Sequence, residues 1–432
     1  MAKNSKSYKR FNKGAFWCLI VLLFALVLVS CSSDDDDTPS DRTISRTIIA
    51  YIVAENTLNN VLAADVYEMI QGAKSLTDND CLLLYIDDIK TPRIYTIDNK
   101  TEATDLVSLV PEKQYDEDLN SCDPKTLAHV LDYARRNHSA DSYGIVFWSH
   151  ASGWQTIEKE KNAVNGRNQD EATMMPSRRY SFGIDNGLNK VSNVEFDPTK
   201  EELSIIDLAS VVESFGKVDF IFFDCCFMQT VEVAYQLRNA TKYVIGAPNE
   251  IPARGAPYDK IVPLMAADKI DYNAIVDAYY EYYCNGIYGS VLSVISTAGL
   301  PQLADATARV YAKYKNSLED LDLSKTNNYF NYDVCRHNRD NCYPDFYDMN
   351  SVMLQWLSSD DYAVWKQAFD QAVVYSRSTD FFYSGFKGNN SRIDTTTVGC
   401  VSMFFPLQKY RGDYFLDSYF RLDWSKALGI YK

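Results

Sequence analysis

One apolar run, residues 218–237, constrains the fold of this chain more than any other stretch. Its first six residues contain a single acid and do not alternate with period two, which is typical of a strand covered on both faces of a parallel sheet. From Met228 onward, apolar residues recur at helical spacing and predict a helix. Asp224, Cys225 and Cys226 therefore fall on a strand-to-helix connection, at the edge where open parallel sheets place their ligand sites.

The amino-terminal residues predict export. Five basic residues precede an apolar stretch from Phe16 to Ser30, which is too short to span a bilayer comfortably and fits a signal peptide over residues 1–30. An anchor helix that is never removed is the alternative. The residues from Leu28 to Cys31 resemble the lipobox of bacterial lipoproteins, in which the cysteine is lipid-modified. We therefore expect Cys31 to carry a lipid that anchors the protein to the membrane of the cell envelope.

Residues 31–45 are polar and acidic and contain a proline, so we expect a flexible tether. An acidic run directly after the lipid-bearing cysteine is similar to signals that send some Gram-negative lipoproteins to the outer face of the outer membrane. This similarity implies an outer-membrane location with exposure at the cell surface. The alternative is that this stretch is only a solvated linker and carries no sorting signal.

The charge balance after residue 30 is strongly acidic, with 38 Lys and Arg residues against 58 Asp and Glu residues. Recognition of a nucleic-acid backbone requires a basic surface, so nucleic acid is not an expected partner. The same charge would attract basic peptides.

From residue 46 the chain alternates strand-like and helix-like segments, which predicts an α/β fold with a parallel, doubly wound sheet. We expect one large α/β domain over residues 46–298 and a C-terminal extension over 299–432 that includes a late strand near 398–405. The clearest strands are predicted at 47–53, 81–86, 143–149 and 290–296, and the clearest helices at 61–73, 123–134 and 301–314.

The predicted strand at 143–149 ends directly before His150, so an imidazole and a thiol follow two predicted parallel strands. If those strands are neighbours, the two side chains converge at one edge of the sheet. A lone histidine after a strand is more often structural than catalytic. The similarly placed Cys226 favours the catalytic interpretation.

Five segments in order resemble the signature segments of the clostripain family of cysteine peptidases, which belong to the caspase-like clan. They are residues 46–56, 123–128, 147–154, 224–228 and 401–406. The resemblance implies a three-layer αβα sandwich with a mostly parallel central sheet and a C-terminal α/β extension. It also implies a cysteine endopeptidase that acts on proteins and peptides.

The family pattern has an aspartate, one residue and then the nucleophile, which selects Cys226 over Cys225 and maps the catalytic histidine onto His150. We expect a helix end and a protonated imidazole to favour the thiolate, and His150 to protonate the leaving amine. The amides of Cys226 and Gly153 are the expected oxyanion donors. Cys225 is expected to be inert core packing.

Two features depart from the family pattern. Ala151 and Ser152 stand where relatives usually carry glycines, and alanine is strained there if position 151 requires a positive φ. The polar stretch over 155–200 has no apolar period and is predicted to be a flexible insertion. Relatives are cut in this region during self-activation, which implies cleavage after a basic residue such as Lys161, Arg167, Arg178 or Arg179.

The resemblance implies cleavage after Arg or Lys, whose charge requires an acidic pocket. Asp224 is the first candidate, because a carboxylate forms charge-assisted bonds with a guanidinium. A capping role at the following helix is the alternative for Asp224. Glu250 is a candidate for the second acid, whereas Arg254 would oppose a basic substrate unless it points outward.

Cofactors are less constrained by the sequence. Some relatives need calcium, but the chain has no EF-hand-like spacing and no standard zinc pattern, so no metal ligand is assigned. Cys335 and Cys342 flank His337 and are compatible with a disulfide in an exported protein. The rival function is a catalytically inactive surface lipoprotein that keeps the fold and binds peptide or glycan.

Overall fold

The computed structural model of the chain describes residues 44–155, 181–187, 203–318, 332, 346–384, 388–407 and 415–430. The predicted signal peptide, Cys31, the four candidate cleavage residues, and Cys335, His337 and Cys342 lie outside these described residues. No helix in the described ranges is long and apolar enough to cross a membrane.

The strands form one large sheet and two small ones. In chain order they are β1 (Ile44–Val53), β2 (Asp80–Asp87), β3 (Arg93–Ile97), β4 (Lys113–Gln114), β5 (Ala140–Trp148), β6 (Val218–Asp224), β7 (Thr241–Gly246), β8 (Val291–Ser296), β9 (Tyr347–Asp348), β10 (Val373–Ser378), β11 (Phe381–Ser384), β12 (Gly388–Arg392) and β13 (Ser402–Met403). Nine of them make the large sheet, in the order β10-β8-β7-β6-β5-β1-β2-β3-β4.

Helices cover both faces of the large sheet. They are α1 (Asn59–Ala73), α2 (Pro124–Asn137), α3 (Ile205–Phe215), α4 (Val231–Gln236), α5 (Tyr258–Ala266), α6 (Tyr272–Cys284), α7 (Leu300–Tyr314), α8 (Met349–Trp356), α9 (Ser359–Ala372), α10 (Phe415–Arg421) and α11 (Asp423–Ala427). The predicted N-cap of α2 is confirmed, since the Asp123 carboxylate accepts a hydrogen bond of 2.8 Å from the Lys125 amide.

The five central strands β7, β6, β5, β1 and β2 run parallel, while β3, β4, β8 and β10 are antiparallel to their neighbours. One buried cluster lies between the sheet and α1, α5 and α6, and another lies between the opposite face and α2, α3, α4 and α7. Strand β6 is therefore covered on both faces, which explains its unbroken apolar run. The predicted α/β sandwich with a mostly parallel sheet is confirmed.

The C-terminal part of the chain adds to the same sheet through β10, which pairs antiparallel with β8. The predicted strand near 398–405 is only the two-residue strand β13, which pairs with β9 and does not enter the large sheet. The apolar run at 401–405 is nevertheless buried, because it packs under the helices of one face. Burial, rather than strand pairing, accounts for its hydrophobicity.

Candidate active site

Cys226 and His150 leave adjacent parallel strands at the same edge of the sheet. Trp148 at the end of β5 and Asp224 at the end of β6 are register partners. His150 follows Trp148 by two positions, and Cys226 follows Asp224 by two positions. Neighbouring strands lie about 4.8 Å apart. The tertiary structure thus makes β5 and β6 neighbours, which is the condition that the sequence left open.

His150 is held from two sides. Its Nε2 lies 2.8 Å from the hydroxyl oxygen of Thr57, and its carbonyl oxygen accepts a hydrogen bond of 2.9 Å from the Gly183 amide. Burial lowers the pKa of His150 to about 4, because the charged ring would lose solvation. The imidazole is therefore neutral at physiological pH and able to accept a proton.

Cys226 is a partly exposed residue, and its sulfur accepts a hydrogen bond of 3.4 Å from the Ile251 amide. Burial raises the pKa of the Cys226 thiol to about 12, and the negative charge of Glu250 is the second largest cause of this shift. Among the hydrogen bonds of the described residues, none joins this thiol to the His150 ring. The group is a thiol in this state, whereas the sequence predicted a thiolate.

The expected helix end next to Cys226 is also absent from this position, because α4 begins at Val231 and contains only six residues. Thr230 is its N-cap, with the side chain accepting a hydrogen bond of 3.1 Å from the Val233 amide. The helix starts late because Phe227 has a φ of +61°, which interrupts helical geometry directly after the cysteine. The helix dipole therefore acts too far away to stabilise a thiolate.

Phe227 fixes the backbone that presents the thiol. Its amide donates a hydrogen bond of 3.0 Å to the Asn249 carbonyl, and its ring stacks on Phe346 with centroids 4.8 Å apart. A non-glycine residue in the left-handed region costs of order 1–3 kcal/mol, and surrounding contacts must maintain it. The strained residue directly after Cys226 is a feature that marks functional sites.

Gly153, the predicted oxyanion donor, does adopt a left-handed conformation, with φ of +70°. A Cβ at this position would lie 2.9 Å from the Phe346 ring and 3.0 Å from the Phe227 carbonyl oxygen, so glycine permits a close approach to the cysteine loop. Ala151 is not among the described residues with positive φ, and it pairs with Phe182 in an isolated bridge. The strain considered for alanine at this position does not arise.

Asp224 is buried and lies against the segment that leads into α5. Its Oδ2 accepts hydrogen bonds from the Ala256 amide at 3.0 Å and the Tyr258 hydroxyl at 2.8 Å. Its Oδ1 is buried and has no hydrogen-bond partner among the residues that the structure describes. Burial raises the pKa of this carboxyl to about 6. Because Thr230 caps α4, Asp224 does not cap the helix that follows it.

Asp65 is a site residue that sequence reasoning missed. A Cβ on Gly255 would lie 2.8 Å from Asp224 Oδ2 and 3.0 Å from Asp65 Oδ2, so the two carboxylates meet at one point. Asp65 accepts a hydrogen bond of 2.7 Å from the Trp148 indole, and burial together with the Asp224 charge raises the pKa of Asp65 to about 9. The available signal was an acid on the apolar face of α1.

The other two predicted pocket residues have different surroundings. Glu250 is partly buried and lies near enough to Cys226 to raise the pKa of the thiol. Arg254 is exposed, and its guanidinium lies 4.4 Å from the ring centroid of Tyr282. This cation therefore occupies the surface over an aromatic ring.

A second cysteine and histidine lie close together at the amino-terminal edge of the sheet. Cys81 Sγ is 3.9 Å from His138 Nδ1, and His138 Nε2 is 3.0 Å from the Glu112 carboxylate. Burial alone would lower the pKa of His138, but hydrogen bonds to Cys81 and Glu112 outweigh it and raise the value to about 9. Cys81 is only 1% exposed, so a peptide carbonyl has no direct approach to its sulfur.

Cys225 is buried, as predicted, and its thiol donates to the Phe147 carbonyl at 3.0 Å. Burial raises the pKa of Cys225 well above its ordinary value. Cys225 therefore lies in the core, whereas the neighbouring Cys226 is partly exposed.

Comparisons with known proteins identify the family. A sequence profile described as the clostripain family matches residues 50–175 and 184–430. Clostripain from Hathewaya histolytica is 29% identical over 240 residues, which cover 50% of this chain and 41% of that protein. The match therefore spans less than half the length of this curated relative.

Two solved structures share the fold. A secreted cysteine protease from Bacteroides thetaiotaomicron, in complex with an irreversible peptide inhibitor, matches with a TM-score of 0.70 and 28% identity, covering 89% of this chain and 98% of that one. An inactive zymogen protease from Parabacteroides distasonis matches with a TM-score of 0.70 and 24% identity, covering 91% and 100% respectively.

The parallel sheet, with a cysteine and a histidine at the carboxyl ends of neighbouring strands, defines the class of α/β cysteine peptidases. The chain belongs to the clostripain family.

Proposed function

We propose that the protein is a cysteine endopeptidase in which Cys226 is the nucleophile and His150 is the general base and acid. The observation that carries this proposal is the register of β5 and β6, which brings the two residues out of adjacent strands. The 28% identity to a cysteine protease that binds a peptide inhibitor supports the same chemistry.

The protonation states favour a concerted first step. The neutral His150 ring takes the proton of the Cys226 thiol as the sulfur attacks the peptide carbonyl carbon and forms the S–C bond. The carbonyl electron pair moves to oxygen, and the Cys226 and Gly153 amides would stabilise this oxyanion as hydrogen-bond donors. His150 then gives its proton to the leaving amine as the C–N bond breaks.

The second step regenerates the enzyme. Water attacks the thioester carbon while His150 takes one of its protons, and the sulfur leaves as the C–S bond breaks. The proton returns to the Cys226 sulfur, and the carboxylic acid product departs. The net change is hydrolysis of one peptide bond without any redox partner.

Basic specificity is proposed for the pocket beside the cysteine. Asp224 and Asp65 are buried side by side, and Asp224 Oδ1 has no hydrogen-bond partner within the described structure. A guanidinium or ammonium group would compensate this buried negative charge and satisfy the unpaired oxygen. We assign Asp224 as the principal acid, with Asp65 supporting it and Glu250 at the rim near the thiol.

The pocket assignment has a direct test. Asp224→Asn should raise KM for arginyl peptides about tenfold or more, because a charged hydrogen bond contributes about 1.5–3 kcal/mol. Asp65→Asn should have a smaller effect in the same direction. Glu68→Gln is the matched control, since Glu68 accepts from the Tyr258 amide but is less buried. Unchanged arginyl preference in Asp224→Asn would overturn the assignment.

Attachment to the outer membrane through a lipid on Cys31 is proposed from the lipobox-like residues and the acidic tether. Mass spectrometry of the mature protein should find a diacylglyceryl modification on Cys31, and Cys31→Ala should release the protein from membranes. Protease shaving of intact cells tests surface exposure. An unmodified, soluble wild-type protein would contradict the anchor.

Self-activation is proposed for the stretch between the two parts of the core. Gly183 binds the carbonyl of His150, so the segment that follows residues 156–180 is tied to the candidate base. Cleavage after Arg178 or another basic residue there would change the mobility of this connection. Intact-mass analysis should show cut wild-type protein and an uncut Cys226→Ala variant. Fully active protein that stays uncut would overturn the proposal.

The nucleophile is tested by labelling with an arginyl thiol-reactive probe and by cleavage of an arginyl fluorogenic peptide. Cys226→Ala should abolish both signals, whereas Cys225→Ser and Cys81→Ser should retain them. Loss in Cys81→Ser with retention in Cys226→Ala would assign catalysis to the Cys81 and His138 pair. No labelling of the folded wild-type protein would favour the inactive peptide-binding or glycan-binding lipoprotein.

A further inference from the structure

Two tyrosines at the carboxyl edge of the sheet form an aromatic pair to which the proposed chemistry gives no role. Tyr288 lies in the loop between α6 and β8, and Tyr383 lies on β11. Their ring centroids are 5.4 Å apart and the rings meet edge to face. Both residues are partly exposed, and Ile287, which precedes Tyr288 in the chain, is 70% exposed. The pair is therefore an apolar surface that solvent reaches.

The order of the strands places this pair on one side of the candidate nucleophile. Strands β5, β6, β7 and β8 are consecutive neighbours, and β8 runs antiparallel to β7, so β8 begins at the edge where the other three end. His150 follows β5, Cys226 follows β6, and Tyr288 precedes β8. Two strand spacings of about 4.8 Å separate β8 from β6. Along this edge, Cys226 therefore stands between the imidazole and the aromatic pair.

Hydrogen bonds connect the pair to the loop that carries the thiol. The carbonyl of the buried Asn249 accepts from the Phe227 amide at 3.0 Å, and the Asn249 side chain donates to the Tyr383 carbonyl at 3.5 Å. Two residues further on, the Ile251 amide donates to the Cys226 sulfur at 3.4 Å. This one stretch after β7 thus contacts both the thiol and the strand of the aromatic pair.

Electrostatic interactions show that the Tyr383 side chain lies near the thiol. Burial raises the pKa of Tyr383 above its ordinary value, and the negative charges of Glu250 and of ionised Cys226 raise it further. Glu250 also raises the pKa of Cys226, so the carboxylate, the sulfur and the phenol share one small region. A negative charge therefore borders the apolar surface.

The backbone behind the two rings is fastened together. The Thr379 hydroxyl accepts from the Ser290 amide at 2.9 Å, and the Thr379 amide donates to the Ser290 carbonyl at 3.0 Å. A Cβ on Gly289 would collide with the Phe381 carbonyl oxygen, so only glycine permits this close approach of the two chains. The segments that carry the two rings therefore hold each other, and the surface is preformed.

We propose that Tyr288 and Tyr383 bind an apolar or aromatic substrate side chain within the three residues that precede the basic residue at the cleavage site. His150 must reach the leaving amine, so the carboxyl-terminal part of the peptide lies toward β5. The amino-terminal part then extends from Cys226 toward β7 and β8, where the pair lies. An extended peptide advances about 3.3 Å per residue, so two strand spacings correspond to about three residues. The direction of the peptide rests on the proposed function, whereas the binding surface does not.

The chemistry of this surface sets the expected preference. Tyrosine rings pack against leucine and phenylalanine side chains, and the Glu250 charge beside them repels an acidic side chain. Peptides with an apolar residue at the bound position should have kcat/KM at least about tenfold above the glycine peptide. The gain should lie mainly in KM, because the contact is the same in the bound substrate and in the transition state. Peptides with glutamate there should fall below glycine.

A series of quenched fluorescent arginyl peptides tests this preference on the full chain. Each peptide carries phenylalanine, leucine, glycine or glutamate at one of the three positions before arginine or at the position after it. The wild type should prefer apolar residues before arginine and not after it. Tyr383→Ala and Tyr288→Ala should lose several-fold more activity toward the phenylalanine peptide than toward the glycine peptide.

Two variants serve as controls. Tyr383→Phe keeps the ring and should keep the preference. Tyr67→Ala removes an exposed tyrosine of α1 and should leave the preference unchanged. An equal loss toward all peptides in Tyr383→Ala would show a merely structural role and would overturn the proposal. A wild-type preference found only after arginine would overturn it as well.

Binding to the Cys226→Ala chain separates failure of this inference from failure of the proposed function. Fluorescence anisotropy measures the Kd of the phenylalanine and glycine peptides without cleavage. Tighter binding of the phenylalanine peptide that is lost when Tyr383→Ala is added supports the surface. Absence of cleavage by the wild type would then overturn only the proposed function. Equal Kd values for the two peptides would overturn the surface, whatever the cleavage assays show.

Discussion

The Thr57 hydroxyl oxygen lies 2.8 Å from Nε2 of His150. This contact occupies one ring nitrogen, so Nδ1 is the nitrogen left for the proton exchange with Cys226 that the proposed mechanism requires. In the proposed mechanism Thr57 is therefore a positioning residue, since it acts through the imidazole.

Replacing Thr57 tests this relationship. Thr57→Val keeps the side-chain shape but removes the hydrogen bond, so kcat should fall about three- to tenfold while KM changes little, because one hydrogen bond contributes about 0.5–1.5 kcal/mol. Thr57→Ser should retain most of the activity. Steady-state kinetics of the two variants provide the measurement, and equal kcat values would contradict the positioning role.

The pH dependence of catalysis follows from the two candidate side chains. The pKa of the His150 imidazole is about 4 and the pKa of the Cys226 thiol is about 12. The value of kcat/KM should therefore fall as the pH drops through about 4, because the imidazole becomes protonated and can no longer act as the base. The free enzyme should hold thiolate in only about one part in 100,000 at pH 7. Alkylation by iodoacetamide without substrate should therefore be slow at pH 7 and accelerate in alkali; rapid alkylation at pH 5 would instead indicate a preformed ion pair.

Gly153 offers a matched pair of glycine substitutions. Gly429 has nearly the same φ, +69° against +70°, but a Cβ there would meet nothing within 4 Å. Gly429→Ala should cost about 1–2 kcal/mol from backbone strain alone. Gly153→Ala should cost more, because its Cβ also collides with Phe346 and the Phe227 carbonyl, and it should lower kcat by shifting the cysteine loop. Chemical denaturation and peptide cleavage measure both effects.

The Glu112 and His138 pair should stabilise the fold within a defined pH range. The pKa of His138 is raised from 6.5 to about 9, so its contribution is full below 6.5 and is lost as the pH rises through 9. For Glu112, burial would raise the pKa, but hydrogen bonds from His138 and Thr96 lower it from 4.5 to about 2, so its contribution is lost as the pH falls through 2.

Stability is therefore greatest, as far as this pair is concerned, between pH 4.5 and 6.5. Glu112→Gln should reduce the free energy of unfolding by about 1 kcal/mol at pH 6, a modest value because the carboxylate is partly exposed. The loss should shrink above pH 9. Urea denaturation of the wild type and of Glu112→Gln at pH 6 and above pH 9 measures this difference in the free energy of unfolding. A difference that does not change with pH would contradict the charge linkage.

Much of the fold could be predicted from local pattern. The doubly buried strand β6, the helix α1 and the Asp123 cap of α2 follow from apolar runs, helical periodicity and capping chemistry, which act over a few residues. The start of α4 could not be predicted in this way. The conformation of Phe227 depends on contacts with Asn249 and Phe346, and these partners are distant in sequence.

The site shows the same division. The candidates Asp224, Cys226 and His150 could be predicted from their position after predicted strands, because parallel strands collect functional residues at their carboxyl ends, and the family resemblance selects Cys226 over Cys225. Asp65 was missed since it lies inside a helix. Glu55, Asp87 and Asp185, which have carboxylate oxygens within 4.8 Å of one another, carry no common motif. Only the packing of α1 against the sheet and of the 181–187 segment against β1 and β2 brings these oxygens together.

The sequence by itself determined the class of the fold, the family and the two residues proposed for catalysis, because apolar periodicity and short motifs are local properties. The tertiary structure decided the neutral protonation states of Cys226 and His150, the pairing of Asp65 with Asp224 and the grouping of Glu55, Asp87 and Asp185. These depend on burial and on distances between residues far apart in the chain, which set the solvation and the electrostatic interaction of each group.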